Sequence, residues 1–284
     1  SMSLFDARTR LDAGEDAEAV RQETGWHKGV DGKWRYEISD ADAKLAMDRD
    51  TAYGYIDSIG GATLGDLLNH PALFAAYPSL AKIPVSLMDG KGASLRTTTV
   101  NDGPASHELA LGRNLAPGDL LSVLLHEVQH GIQHVEGFAT GGSPNGNVSA
   151  YQQQMNGELV DMLAKSPKLE QAYDDWAKFQ ARITSGLEFD AKAAEAAEDA
   201  LLAQPNGAKA IDLHASLDGL DDPNSAPSVM RDRYKRLAGE AEARNTQARQ
   251  RLSAWDRQIT PPSHTADVAD GDVIVTFNGK EAAN

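Results

Sequence analysis

The chain has 284 residues, 41% hydrophobic and 24% charged, which suits one large globular domain or two small ones. Its net charge of −15 argues against a nucleic-acid partner or an anionic membrane surface. It has no cysteine, which excludes disulfides, thiolate metal sites and a cysteine nucleophile.

Ser1-Met2 reads as an expression remnant, and the polar stretch after it lacks a signal-peptide core. With no run of about 18 apolar residues, no membrane span is expected. A bacterial cytoplasmic location follows, with delivery by phage or by export without a cleaved signal left open.

Residues 1–22 read as a charged N-terminal arm, helical or mobile over 7–23. Asp31-Gly32 marks a hairpin turn before the strand-like run Lys33 to Ile38. Thr63 to Phe74 is amphipathic and reads as a helix passing His70-Pro71. Strands are expected at Ile83–Met88, Ser94–Val100 and His107–Leu111, separated by Asp89-Gly90-Lys91-Gly92 and Asn101-Asp102-Gly103-Pro104.

Ala116-Pro117-Gly118-Asp119 then starts a helix in which Leu120, Leu121, Leu124, Leu125, Val128 and Ile132 form an apolar stripe. This helix carries His126-Glu127-Val128-Gln129-His130. Two histidines four residues apart share one face, so both rings can reach one zinc ion. Glu127 lies about 100° around the helix, where it can hold and deprotonate a water at the open position of the ion. His134 continues the spacing but lies about 12 Å along the axis from His126, too far for the same ion; it is expected outside the ligand set or exposed. The helix should end near Gly137, with a loop over 141–146.

From about 149 to 252 the pattern is helical. Ser166-Pro167 caps a helix that aligns Leu169, Tyr173, Trp176, Phe179 and Ile183 on one face. Asp190–Leu202 closes at Pro205-Asn206-Gly207, residues 216–228 read as a loop, and one helix is expected over Val229–Leu252. Its inward face would carry Met230, Tyr234, Leu237, Ala241, Ala248 and Leu252. A last strand is expected at Asp272–Phe277.

Two histidines leave a zinc site one protein ligand short. On the late helix, Glu240 and Glu242 flank the stripe about 160° apart, so one is left to bind and the other to a structural or salt-bridging role. Arg244, four after Glu240, offers that glutamate an ordinary helix pair. Gly239, Ala241 and Ala243 are small enough to allow close approach to the histidine helix.

The stretch Leu124 to Gln133, continuing Glu136 to Ser143, resembles a domain found in large polyvalent proteins of phages and mobile elements. Glu23-Thr24-Gly25-Trp26, Asp31 to Ile38, Leu64 to Phe74 with Tyr77-Pro78, and Ala238 to Asn245 resemble it too, so the likeness runs over about residues 20–260. Such domains are similar to gluzincin-type zinc metallopeptidases, in which two His and a downstream Glu bind the metal. The resemblance implies an α+β, zincin-like fold: a small mixed sheet, the active-site helix, then a mainly helical C-terminal half. It fits Glu240 with Ala243 to an E-x-x-A pattern and so favours Glu240 over Glu242. The implied divisions are 1–22, 23–145 with sheet and histidine helix, a helical insert 146–228, and 229–284 with the third ligand.

The expected activity is zinc-dependent endopeptidase, with His126, His130 and Glu240 as ligands, Glu127 as general base, and a protein or peptide as substrate. His107–Leu111 would be the edge strand that receives it. The alternative is a non-catalytic, metal-stabilised binding or inhibitor module acting on a host protein.

Overall fold

The computed structural model describes residues 3–98, 106–143, 148–277 and the backbone of 280–281. It is α+β, with small sheets in the N-terminal part and a mainly helical C-terminal half. Two compact units form: Ser1–Gly142 with Lys235–Asn284, and Ser143–Tyr234. The expected insert, 146–228, falls inside the second.

Over its described residues the N-terminal arm is largely helical. Ser3 and Asp6 form a capping box for α1 (Leu4–Asp12), and Asp16 caps α2 (Ala17–Thr24). Ala7 and Val20 are fully buried, and Arg21 donates to the carbonyls of Arg257 and Gln258. Strands β1 (Trp26–Lys28) and β2 (Trp34–Tyr36) pair as the expected hairpin.

The stretch 39–61 holds β3 (Lys44–Leu45) and α3 (Arg49–Ile59), started by the Asp48 cap and stopped by left-handed Gly60. After β4 (Ala62–Thr63), the helix expected over Thr63–Phe74 divides. It becomes α4 (Leu64–Leu67), β5 (Leu68–Asn69) paired with β3, and α5 (Pro71–Ala76). Proline at the first helical position restarts a helix and disfavours helical backbone at His70. The His70 ring caps α5 by accepting from the Leu73 amide.

The main sheet has the order β4, then β6 (Pro84–Met88), β8 (Ser106–Gly112) and β7 (Ala93–Thr98). β6 and β8 run parallel, and the other two pairings are antiparallel. The expectation that His107–Leu111 forms an edge is therefore wrong: β8 is paired on both sides, and β7 is the edge beside it. The Asn101–Pro104 turn, the end of Ser94–Val100 and residues 144–146 of the expected loop lie outside the described residues.

Helix α6 (Leu120–Glu136) ends at left-handed Gly137. It buries Leu120, Leu124 and Val128 with Leu64, Leu80, Val85, Leu109 and Leu111 of the sheet side.

The second unit contains α7 (Val148–Ala164), α8 (Pro167–Thr184), α9 (Ala191–Leu202), α10 (Gly207–Asp221) and most of α11 (Ala226–Arg236). One of its cores gathers Met155, Leu159, Leu213 and Met230; another gathers Leu169, Trp176 and Leu201. Ile183 stays 44% exposed, so the expected face of α8 packs only toward its start. The loop expected at 216–228 shrinks to the four residues between α10 and α11. Its Gly, Asp and Ser residues are largely absorbed into helix, with Ser225 Oγ donating to the Gly219 carbonyl.

The single helix expected over Val229–Leu252 breaks at Leu237 before α12 (Ala238–Arg249). Leu237 is extended and bridges Ile274, while the Ala238 amide donates to Ile274 O and the Ile274 amide to Arg236 O. The break resets the helical phase, so Glu240 and Arg249 are buried while Ala248 is exposed. Beyond α13 (Ala254–Ile259), the expected strand Asp272–Phe277 reduces to the Ile274 bridge and β9 (Thr276–Phe277), paired with β10 (Lys280–Glu281).

Candidate metal centre

Helices α6 and α12 bring His126, His130 and Glu240 to one point, the one group of potential metal ligands among the described residues. The two Nε2 atoms are 3.2 Å apart, and Glu240 places Oε2 3.5 Å from His126 Nε2 and Oε1 3.5 Å from His130 Nε2. Zinc bonds of 2.0–2.1 Å in a tetrahedron set ligand-to-ligand edges of about 3.3 Å, so this spacing fits zinc. Glu240 is only 2% exposed, and a carboxylate so deep needs compensating positive charge.

Small residues make the approach possible. A β-carbon built on Gly141 would overlap Glu240 Oε1 and come within 2.9 Å of both Glu240 Cδ and His130 Cε1. One built on Gly239 would overlap the Thr140–Gly141 backbone and lie 2.8 Å from Gln133 Oε1. The Gly142 amide donates to Glu240 Oε1 at 3.1 Å.

Each ring rests its other nitrogen on a glutamine. His126 Nδ1 is 3.2 Å from Gln247 Oε1, and His130 Nδ1 is 2.9 Å from Gln133 Oε1. Glu242 does not join Glu240. It accepts from Gln133 at 3.1 Å and from Arg35 Nε at 2.6 Å, and Arg35 also binds Asp31. Arg244 does not pair with Glu240; it turns to Asp267 and the Lys235 carbonyl. His134 is exposed, its ring 5.6 Å from that of His107.

Glu127 is buried at 6% exposure, and its Oε2 accepts from the Leu95 amide of β7 at 2.7 Å. Burial pushes its carboxyl above the usual range, against the pull of the two histidines. Burial alone would lower His130, but the hydrogen bond and charge of Glu240 raise it above its ordinary value.

Sequence reasoning passed over Gln133, Gln247, Arg35 and Gly141. The first two had a readable signal, since Gln133 is three residues past His130 and Gln247 seven past Glu240, both helical spacings. Arg35 and Gly141 reach the site only through long-range packing.

The family described as large polyvalent protein associated domain 23 matches residues 1–46, which supports an association with large polyvalent proteins. The match covers Asp31 and Arg35 but neither helix that carries the histidines and Glu240. No curated protein and no solved structure matches the chain. Among the described residues, no helix is long and apolar enough to cross a membrane.

Proposed function

We propose that the chain is a zinc-dependent endopeptidase of zincin type, acting on protein or peptide substrates. The observation that carries this reading is the convergence of His126, His130 and Glu240 from two helices at zinc-compatible spacing, with Glu127 beside them. A zinc ion held there supplies Lewis-acid polarisation and makes water a nucleophile near neutral pH. The remaining work belongs to the chain.

Glu127, anchored through Oε2 on the Leu95 amide, keeps a fixed carboxyl next to the two rings. Its raised proton affinity suits it to take a proton from water and return it to the departing amine. The Leu95 amide that holds it points away from β8, so the outer edge of β7 borders the catalytic carboxylate. An extended peptide added along that edge would present its carbonyl to the site. The net charge of −15 supports a peptide over a nucleic acid as substrate.

The test is purified full-length chain loaded with zinc and offered unfolded protein substrates. One zinc per chain and cleavage are expected, with Glu127→Gln abolishing cleavage while zinc stays bound, and His130→Ala losing both. Zinc binding without cleavage of any substrate would favour the non-catalytic binding module. Failure of the wild-type chain to bind zinc would end both readings.

A further inference from the structure

The orientation of Gln133 is fixed by what surrounds its nitrogen. Nε2 lies 2.9 Å from the Gly239 carbonyl oxygen and 3.1 Å from Glu242 Oε2. Both are acceptors, so the amide nitrogen belongs there and Oε1 must face His130 Nδ1 at 2.9 Å. An amide oxygen carries no hydrogen. The proton at that contact therefore sits on Nδ1, and Nε2 is the nitrogen left to present a lone pair to a cation.

Glu242 is held in turn. Arg35 donates Nε to Glu242 Oε1 and its NH1 and NH2 groups to Asp31, and its guanidinium lies 3.9 Å over the Phe138 ring. Gly29 leaves the space, since a β-carbon there would come 2.5 Å from Arg35 Cζ. The other ring follows the same logic through a different partner. Gln247 Nε2 donates to the Ser122 carbonyl and can donate to Ser122 Oγ, which turns Oε1 to His126 Nδ1.

We infer that Gln133 and Glu242, braced by Arg35, are positioning residues that set the Nδ1–H tautomer of His130 and so present Nε2 for a cation. The inference rests on the reading that His126, His130 and Glu240 hold a metal. It also gives the segment 1–46 a part in the site, because Asp31 and Arg35 lie within it. Removal of partners that orient a metal-binding histidine costs about 10–100-fold in metal affinity.

The experiment uses the full chain with 15N-labelled histidine, metal-free at pH 8, read by long-range 1H–15N correlation spectra, with zinc affinity measured by chelator competition. Wild type should show His130 protonated on Nδ1. Gln133→Leu should shift the ring toward the Nε2–H form and weaken zinc binding about 10–100-fold. Glu242→Gln offers a donor where two donors already converge, and should act in the same direction with a smaller effect. It carries the test if Gln133→Leu, at a buried position, does not fold.

Retention of Nδ1–H with zinc affinity within about twofold of wild type in the folded variants would overturn the inference. If wild type binds no zinc, the metal reading fails instead, and the tautomer spectra alone decide the role of Gln133 and Glu242.

Discussion

Gly141→Ala isolates the geometry of the proposed metal centre. The glycine has no left-handed backbone to protect, so alanine acts only through its added carbon. That carbon would lie 2.9 Å from Glu240 Cδ and from His130 Cε1, where carbon atoms prefer about 3.5–4.0 Å. Relief requires the carboxylate, whose Oε1 the carbon overlaps, to move by about 1 Å or more and the ring by roughly 0.6 Å, whereas zinc bonds tolerate about ±0.2 Å. We expect zinc affinity to fall about 100-fold, near 2.8 kcal/mol at 1.4 kcal/mol per tenfold. The assay is chelator competition, with circular dichroism to establish that the fold persists. The control is Gly157→Ala within α7, where an added carbon meets nothing within 4 Å and should stabilise by about 0.5–1 kcal/mol. A Gly141→Ala chain that binds zinc within threefold of wild type would refute the packing argument.

His27 should make stability depend on pH. Burial, followed by the charge of Arg35, lowers its pKa from 6.5 to about 4, and its Nδ1 is sealed from water without a hydrogen bond. Between pH 6.5 and 4 the unfolded chain takes up a proton that the folded chain does not, so stability falls as pH drops through that window. At pH 5 the loss relative to pH 8 is about 2 kcal/mol from this group. His27→Gln should flatten the slope of urea-unfolding free energy between pH 8 and 5, and an unchanged slope would remove His27 as its source. Glu37 binds Arg249 through two hydrogen bonds and also pairs with Arg257, and both arginines are buried. Glu37→Ala leaves two guanidinium groups without that partner and should cost about 3 kcal/mol in urea denaturation, the low end for a broken buried pair because Glu37 is partly exposed. A loss below 1 kcal/mol would show that water takes its place.

The histidine helix was legible because its periodicity, its stop at Gly137 and the four-residue spacing of its histidines are all local. The order of the sheet was not. Alternation in His107–Leu111 announces a strand, but a place between β6 and β7 depends on pairings that no short window contains. The break at Leu237 was hidden for a related reason: leucine fits an apolar stripe whether the helix continues or stops, and only the Ile274 bridge decides. That break turns Glu240 inward and directs Glu242 to Arg35, a choice the ideal helical wheel left undecided. In the 216–228 stretch, glycine, proline and aspartate read as a loop, yet burial of Leu220 and Ala226 favours helix against weak local propensity.

Two kinds of polar burial coexist in the first unit, and their energetics point to different jobs. The cluster of Arg21, Glu37, Asp40, His70, Arg249 and Arg257 ties N-terminal segments to the C-terminal helices with its charges largely paired. Such a cluster adds little net stability, because desolvation offsets attraction, but any register that separates the partners strands a buried charge. Its expected effect is to disfavour dockings of the N-terminal segment other than the one that brings Arg35 to Glu242. The His126, His130 and Glu240 group is built the opposite way, with like-for-like ring nitrogens facing each other at 3.2 Å around a buried carboxylate. With each Nδ1 turned to a glutamine oxygen, both Nε2 atoms and the carboxylate are left to a shared cation, which would offset the cost of burying that charge. Zinc should accordingly raise the melting temperature of the chain, whereas Glu240→Gln should reduce that gain.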